Sequence, residues 1–446
     1  MTLPETILPV VGIAALLLPN WLLLVSVVPM LMVLGNTLLI PPLFSIGDAD
    51  IQIYDLIIFI VALKVLCSTL VYKRQIYMYS PVIVFLALLV ITTLLNWYRL
   101  EGEVFTEEMT ALLRFIVQVS CFFLFVHSAR ASRQLEFSHK LLHLGGYIAA
   151  SSIYLNMVLF TSGIQIGEVY AGDDFARFFG PLGDSVKLLL LPFIYKELLA
   201  NKFLRASFLA GALLATGGRI GIIALGVGVV LIVFYIGNTR AEYMYVRKSF
   251  IVFASFLGVL GLGLWLNLGG MMTRFTNDEI FGSDLTQRMV RIDLAAHVFW
   301  DNIITGVGYT GYRFAALDYG SKYGAGIGPY HNSTFLATTS NQYLQTTTDA
   351  GVFGVVVFLW MMAGFLQLMR RAIMCVNGEL RNFLEAGYIW ILSLLIVSPV
   401  VTWLLPGSII GYTLWMILGI AAVTVDMAQR AASTREASYG PGYQDV

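Results

Sequence analysis

Long apolar runs, separated by short polar stretches, recur along almost the whole chain. Most approach the roughly 20 residues that an α-helix needs to cross a hydrocarbon core of about 30 Å. A membrane β-barrel would instead show alternating segments of about ten residues. The pattern therefore predicts an all-α fold, a polytopic membrane helical bundle. The predicted spans are Thr6–Leu18, Trp21–Pro42, Ile53–Tyr72, Ser80–Trp97, Met109–Val126, Leu142–Leu159, Leu182–Leu199, Phe203–Thr216, Ile220–Ile236, Phe250–Leu268, Val352–Met369, Ala386–Leu405 and Ile409–Val425.

The positions of these runs divide the chain into four parts. Pro19 and Asn20 mark either a turn between the first two runs or a kink within one broken helix, so we expect about 12 spans. Ten of the runs fall in residues 1–268, and residues 352–427 hold the C-terminal spans. Residues 269–351 form one large polar segment, and the tail 428–446 is predicted to be disordered. No internal repeat is apparent.

Basic residues predict which loops face the cytoplasm, because Lys and Arg are retained on that side of a membrane. They concentrate in alternate loops, at 73–74, 130–140, 196–205, 240–248 and 370–381, and again in the tail. The loops between them carry acidic sequences such as "EGEVFTEE" and "IGEVYAGDD". This distribution places the carboxyl terminus in the cytoplasm and the segment 269–351 on the outer side. Within that segment, "DLTQRMVRIDLAAHVFWDN" predicts an amphipathic helix that ends by Gly306.

Composition agrees with an integral membrane protein and excludes some partners. Of 446 residues, 58% are hydrophobic and 12% charged, with a mean hydropathy of +0.80, which is outside the soluble range. Twenty-seven basic residues balance twenty-seven acidic ones, so nothing points to nucleic acid as a partner. No Lys or Arg precedes Lys64, so the first run lacks the basic region of a cleavable signal peptide and is expected to be retained.

Four arginines fall on the outer side of the membrane, against the general distribution of charge. Arg177 precedes a predicted span in "RFFGPLGDSVK", and Arg219 occupies the hairpin "TGGRIGI" between two spans. Arg288 and Arg291 are three residues apart, hence on one side of the outer helix. Charge at a bilayer is costly, and it marks functional sites by default.

A group of guanidinium ions at headgroup level suits a diphosphate. Arginine presents a planar fork to phosphate oxygens and keeps its charge at any physiological pH. The alternative for each arginine is a contact with lipid headgroups or a solvated charge. Arg114 and Lys187 lie a turn or two inside the outer ends of their spans. Lys187 can either snorkel outward or join the phosphate site.

Four motifs in order carry a resemblance to a known family. They are "RFFGPLGD", then "TGGRIG", then Arg288 eighteen residues ahead of "GVGYTGYR", then "SNQYLQTTTDAGVFG". Across residues 177–354 the chain resembles the O-antigen ligase and polymerase superfamily, bacterial membrane glycosyltransferases that use polyprenyl-diphosphate-linked glycans. The resemblance implies a GT-C-like fold in the cell inner membrane and an active site that faces the periplasm. It also implies a reaction that needs neither a metal nor another cofactor.

The family's functional positions can be carried over to this chain. The hairpin arginine falls on Arg219, with Gly218 where serine is usual, and the arginine that opens the outer helix falls on Arg288. The glycine pair that closes the outer helix falls on Gly306 and Gly308. The resemblance implies that Arg219 and Arg288 are catalytic, because they stabilise the departing diphosphate. The binding residues expected for diphosphate and glycan are Arg177, Lys187, Arg291 and Asn341.

One departure from the family pattern separates two branches. Ligases carry His-Asn about nine residues before the glycine that begins the next span, and here that frame reads Ser340, Asn341 and Gly351. A His-Asn pair occurs nine residues earlier, at His331 and Asn332. His331 is therefore the leading candidate for the general base, since a histidine can accept a proton near neutral pH, and the alternative is a surface histidine in a glycine-rich loop. The serine in the histidine position favours a polymerase over a ligase.

The resulting hypothesis is a polymerase of a bacterial surface polysaccharide. It would transfer a growing glycan from polyprenyl diphosphate to a lipid-linked repeat unit at the outer side of the inner membrane. Expected partners are the polyprenyl-diphosphate-linked oligosaccharide, membrane lipid and a chain-length regulator protein. The first alternative is a ligase that moves the glycan onto lipid A core. The second is a transporter or flippase of lipid-linked sugars, although transporters usually show paired repeats and a site near the midplane.

A metal site is the weaker of two interpretations of an acidic and histidine cluster on the outer helix. Asp293, His297 and Asp301 are spaced by four residues on one face of the outer helix. An ordinary solvated helical face has the same spacing. We therefore expect no bound metal.

Overall fold

The computed structural model describes residues 17–34, 44–46, 49–51, 53–72, 79–97, 103–164, 168–172, 175–180, 185–239, 278–323 and 338–438, with seven isolated positions between 254 and 265. Within these ranges the chain is α-helical, apart from two short antiparallel strand pairs. Strand β1 (Phe44–Ile46) pairs with β2 (Ala49–Ile51), and β3 (Glu168–Gly172) pairs with β4 (Phe175–Gly180). The helical class predicted from the apolar runs is confirmed.

The helices of the described residues are named in chain order. They are α1 (Asn20–Leu34), α2 (Ile53–Tyr72), α3 (Ser80–Asn96), α4 (Glu103–Ser128), α5 (Ser132–Thr161), α6 (Val186–Leu189), α7 (Leu191–Leu199), α8 (Phe203–Ala215), α9 (Arg219–Thr239), α10 (Asp278–Asp301), α11 (Tyr312–Tyr323), α12 (Gln342–Cys375), α13 (Gly378–Val397) and α14 (Ile409–Ser438). A 3₁₀ turn at Ser398–Val400 follows α13.

Five helical segments of the described part are long and apolar enough to cross a membrane. They are Thr106–Ser128, Ser132–Thr161, Gln342–Cys375, Gly378–Val400 and Ile409–Thr434. Shorter apolar helices are Asn20–Leu31, Ser80–Asn96, Phe203–Ala215 and Arg219–Phe234. The chain is therefore a multi-pass membrane protein, while the expected total of about 12 spans stays a prediction. The spans predicted at Thr6–Leu18 and Phe250–Leu268, and the second half of Trp21–Pro42, lie largely outside the described residues.

Two predicted spans are interrupted by proline. The run Leu182–Leu199 was predicted as one span, but within it the chain forms α6 and α7, because Pro192 has no N–H to continue the helical ladder. The carbonyl of Leu188, which would have accepted that bond, instead accepts one from the indole Nε1 of Trp390 at 3.0 Å. Helix α13 likewise stops before Pro399 rather than at Leu405.

The tail is more ordered than the sequence suggested. Residues 428–438 continue α14, so the disorder predicted for 428–446 is wrong for this stretch. This stretch is rich in alanine, the strongest helix former, and Arg430 pairs one turn back with Asp426 at 2.7 Å. Residues 439–446 lie outside the described part.

Helix α14 lies at the centre of the bundle and packs against α4 and α12. Its Trp415 meets three phenylalanine rings, with centroid distances of 6.5 Å to Phe115, 6.3 Å to Phe122 and 5.5 Å to Phe365. Lipid tails are as apolar as these side chains, so burial alone does not favour the folded bundle in a membrane. Close aromatic packing does, at about 0.5–1.5 kcal/mol for each well-placed pair.

Contacts along α13 define two ends of the bundle. Near one end Trp390 bonds to Leu188, and at the other Glu379 pairs with Lys196 at 3.3 Å, so α13 runs antiparallel to α6 and α7. We call the end of α13 that leads to Val400 the outer end and the end with Glu379 the inner end, following the orientation predicted from charge.

Candidate active site

A polar cavity of about 400 Å³ opens at the outer end of the bundle. It lies between the start of α4, the start of α11, the segment that leads into α12 and the loop before α14. We call it the outer cavity. The residues that line it are Glu107, Thr110, Ala111, Arg114, Thr310, Arg313, Phe314, Thr338, Leu405 and Pro406.

Two guanidinium groups and one carboxylate give the outer cavity its charge. The Arg313 side chain forms an ion pair with Glu107, and both groups are about one-third exposed. The guanidinium of Arg313 also lies over the ring of Phe314, 4.4 Å from its centroid. Arg114 lines the same space one to two turns further along α4. The net charge of the lining is positive, which suits an anion.

The loop that seats Thr310 and Arg313 depends on glycine. Gly306 has φ +62° and Gly308 has φ +95°, a region that L-residues with side chains rarely adopt. The N–H of Val307 donates to the carbonyl of Thr348 at 2.8 Å, and that of Gly308 to the carbonyl of Asp349 at 3.0 Å. A Cβ on Gly306 would lie only 2.6 Å from the backbone nitrogen of Ala350, so the two backbones can meet only at glycine.

The facing side of this contact is a kink inside α12. Gly351 has φ +67° and ψ −167°, which breaks the helical geometry after Ala350. The N–H of Val352 donates to the carbonyl of Ile303 at 2.8 Å. We call this contact between residues 303–308 and 348–352 the glycine interlock. It gives a physical reason for the glycines at 306, 308 and 351 of the sequence motifs.

The polar run that opens α12 holds two loops at the outer cavity. Asn341 caps the helix, since its Oδ1 accepts a hydrogen bond from the N–H of Leu344 at 3.0 Å. The Oε1 atom of Gln342 accepts from the N–H groups of Trp403 at 3.0 Å and Leu404 at 2.9 Å. These bonds fix the loop before α14 against the start of α12.

Both arginines of α10 reach these loops. Arg291 donates from Nη1 to the hydroxyl of Ser340 at 2.8 Å, and Arg288 donates from Nη1 to the carbonyl of Val400 at 2.7 Å. Each guanidinium has further N–H groups that these bonds do not use. Ser340 itself adopts φ +58° and lies two residues from Thr338 in the cavity lining. The structure therefore brings Arg288 and Arg291 together at the border of the outer cavity.

Lys187 and Arg219 form a second group at the outer end. Arg219 is the first residue of α9, and the glycines around it lie against the Lys187 side chain. A Cβ on Gly218 would come within 2.7 Å of Lys187 Cδ, and one on Gly221 within 3.0 Å of its Cβ. This explains glycine in the position where the family usually has serine. Within the described residues, none of the sequence-predicted arginines lines the outer cavity itself.

Other predicted residues are placed only in part or not at all. Arg177 lies on β4 opposite Tyr170, and its side chain is outside the described part. His331 also lies outside the described residues. On the solvated face of α10, the Nδ1 atom of His297 lies 2.8 Å from the carbonyl of Asp293, and Asp301 accepts from Tyr319 at 2.6 Å.

Arg313 and Glu107 were not among the predicted site residues, and Arg114 was predicted only to lie near the outer end of its span. Arg313 ends the motif "GVGYTGYR", and Glu107 lies in "EGEVFTEE", so both were in quoted stretches. Charges in loops expected to face water have no desolvation cost, and nothing in their spacing distinguished them. Only the fold shows that these two segments, about 200 residues apart, meet across one cavity.

Comparison with known proteins supports the resemblance read from the motifs. Residues 205–359 match the family described as O-antigen ligase. No curated protein matches the chain. The matched segment contains Arg219, Arg288, Arg291 and the glycine interlock, and members of this family are glycosyltransferase-like enzymes. The similarity to the O-antigen ligase family covers residues 205–359, less than half of the chain.

Proposed function

We propose that the chain polymerises a bacterial surface polysaccharide, by transferring a growing glycan from polyprenyl diphosphate to a lipid-linked repeat unit at the outer side of the inner membrane. The outer cavity carries this proposal. It is lined by Arg114 and Arg313 and bordered by Arg288 and Arg291. These cations come from three helices and meet at one end of the bundle, where a lipid-linked diphosphate would enter from the membrane.

The proposed chemistry is electrostatic. The acceptor hydroxyl attacks the anomeric carbon, the bond from that carbon to the diphosphate oxygen breaks, and its electron pair leaves with the diphosphate. Negative charge therefore grows on the leaving group as the transition state forms. Fixed guanidinium groups stabilise that charge more than they stabilise the ground state, which raises the rate. In this scheme Arg114 and Arg313 contact the diphosphate in the outer cavity. Arg288 and Arg219, which do not line that cavity, keep the catalytic role that the family resemblance implies.

The ion pair between Arg313 and Glu107 supplies a route for the proton. When a phosphate oxygen replaces the carboxylate at Arg313, Glu107 is released inside the cavity. It can then accept the proton of the attacking hydroxyl, provided the acceptor lies within about 3 Å. His331 is the second candidate for this step. Replacement of the true base should lower turnover without weakening donor binding. A comparison of variants at Glu107 and His331 therefore shows which of the two residues accepts the proton.

The polymerase branch is supported by what occupies the ligase histidine position. Ser340 stands there, and its hydroxyl accepts a hydrogen bond from Arg291. A serine hydroxyl so engaged orients a cation and is a poor general base. Its role in the scheme is to hold Arg291 toward the diphosphate, with Arg177, Lys187 and Asn341 as further binding residues.

The test uses the full chain, purified into nanodiscs, in EDTA, with the lipid-linked repeat unit isolated from cells that lack this protein. A ladder of lengthening products supports a polymerase, and added chain-length regulator should change its spacing. Transfer of one glycan to lipid A core supports a ligase instead. Transbilayer movement without transfer supports a transporter and overturns the proposal.

Substitutions test whether the reaction takes place in the outer cavity. Arg313→Gln and Arg114→Gln are each expected to lower turnover by a factor of about 100 or more, the usual effect of losing one transition-state donor. Arg219→Ala and Arg288→Ala should abolish turnover while the protein stays folded. The matched control is Arg430→Gln, an arginine in an exposed ion pair at the inner end. Equal turnover in Arg313→Gln and the control would contradict this assignment.

A further inference from the structure

A second charged cavity, of about 650 Å³, opens at the inner end of the bundle. It lies between α5, the turn from α7 to α8 and the start of α13. We call it the inner cavity. Its basic lining consists of Lys140, Lys196, Lys202, Arg205, His139 and His143. No residue of this set was assigned a function by the sequence motifs, and none takes part in the reaction proposed above.

We propose that the inner cavity binds a phosphate-bearing anion, at a site separate from the outer cavity. The length of helix α13 gives the distance between the two cavities, because this helix begins at the inner cavity and ends at the 3₁₀ turn that Arg288 contacts. Its 20 residues span about 30 Å, which is the thickness of the hydrocarbon core. An anion in the inner cavity therefore lies at the opposite face of the membrane from the diphosphate site.

The lysines of the inner cavity share too little negative charge. Glu379 pairs with Lys202 at 2.6 Å and with Lys196 at 3.3 Å, while Glu197, whose charge also acts on Lys196, is bonded to His143. The side chain of Lys196 is only 3% exposed, although a buried charge requires a counter-charge. Over the whole lining, four Lys and Arg residues face three carboxylates. An anion would complete this balance.

The two histidines that line the inner cavity each have a ring nitrogen without a partner among the described residues. The Nε2 atom of His139 is buried without a hydrogen-bond partner among the described residues, while its Nδ1 lies 3.3 Å from the carbonyl of Leu135. The Nδ1 atom of His143 is also buried without such a partner, while its Nε2 bonds to Glu197. Because a carbonyl only accepts, Nδ1 of His139 carries its proton, and Nε2 of the neutral ring is an acceptor.

These acceptors and donors together favour phosphate over a simple carboxylate. A singly protonated phosphate can donate its P–OH to Nε2 of His139 and accept from Lys196 through its other oxygens. A carboxylate has no proton to give. The phosphate can come from a lipid headgroup or from free phosphate, since basic pockets between helices at the cytoplasmic face suit anionic headgroups. A phosphodiester headgroup such as phosphatidylglycerol carries no P–OH, and there a glycerol hydroxyl donates to Nε2 of His139 instead.

The test measures thermal midpoints of the delipidated full chain, without any donor glycan, so its failure is independent of the proposed function. One arm adds millimolar sodium phosphate against sodium chloride of equal ionic strength. The other compares nanodiscs of phosphatidylcholine with and without phosphatidylglycerol. A saturable rise in midpoint with phosphate alone identifies a soluble anion, and a rise with phosphatidylglycerol alone identifies a lipid headgroup. No rise in either arm overturns the proposal.

Substitutions tie the effect to the inner cavity. Lys202→Gln and Lys140→Gln should raise the half-saturating phosphate concentration, or the phosphatidylglycerol fraction, at least tenfold. Both side chains are partly or fully exposed, so these variants are expected to fold even if Lys196→Gln does not. The matched control is Arg381→Gln, which removes an arginine on α13 that pairs with Glu385 outside the cavity. Unchanged saturation in both lysine variants, or an equal loss in the control, would overturn the site.

Discussion

Replacing Gly306 with alanine should disrupt the glycine interlock, which positions the outer cavity. The new Cβ would lie 2.5 Å from the carbonyl carbon of Asp349 and 2.6 Å from the nitrogen of Ala350. Both are backbone atoms within α12, so no side-chain rotation relieves the overlap. The residues around Gly306 would have to move away from α12, and with them the loop that carries Thr310 into the cavity.

The expected loss of stability has two parts. A non-glycine residue at φ +62° costs roughly 1–2 kcal/mol in backbone strain. Displacement weakens the hydrogen bonds from the N–H groups of Val307 and Gly308, which contribute about 0.5–1.5 kcal/mol each. The total is about 2–5 kcal/mol. Only the loss of hydrogen bonds results from the close approach of the two backbones, since the strain would arise at any residue with this φ.

The control for this variant is Gly163→Ala. Gly163 also has a positive φ, of +78°, but a Cβ there meets nothing within 4 Å. It should therefore lose only the strain of about 1–2 kcal/mol. Unfolding of both variants by denaturant titration in the same detergent gives the difference directly. Equal losses in Gly306→Ala and Gly163→Ala would refute the interlock as a source of stability.

Two further substitutions test the loops around the outer cavity. Gln342→Leu leaves the buried N–H groups of Trp403 and Leu404 without their acceptor, so the free energy of unfolding should fall by about 2–5 kcal/mol in the same titration. A loss below about 0.5 kcal/mol would mean that water replaces the amide. Ser340→Ala removes the acceptor of Arg291, so we expect KM for the lipid-linked donor to rise several-fold with a stability loss of about 0.5–1.5 kcal/mol. An unchanged KM would mean that Arg291 does not contribute to donor binding.

Hydropathy predicted the existence of the long spans better than their ends. The last span was predicted to begin at Ile409, and α14 begins there. The span predicted from Val352 does begin after the kink at Ala350 and Gly351, but a polar helical segment from Gln342 precedes it, and hydropathy did not predict that segment. The earlier residues are polar, and they are helical because Gln342 bonds to a loop about 60 residues away. A local hydropathy pattern contains no information on such a partner.

The glycines and the cations show the same limit. Sequence motifs pointed to Gly306, but only the packing of α12 against it explains why no side chain fits. Charge distribution predicted a common outer face for the four arginines, and that face stays a prediction, while the structure shows Arg288 and Arg291 bonded to Val400 and Ser340. It did not predict which cations line the cavity, because Arg313 and Glu107 meet only in the folded bundle.

Binding of the isolated lipid product, polyprenyl diphosphate, tests the central claim most directly. Affinity for polyprenyl diphosphate and for polyprenyl monophosphate would be compared in the wild-type chain, Arg114→Gln, Arg313→Gln and the inner-cavity variant Lys202→Gln. The account predicts that both arginine variants lose at least tenfold in affinity for the diphosphate, and less for the monophosphate, while Lys202→Gln binds as the wild type does. Equal diphosphate affinity in all four proteins would contradict the account.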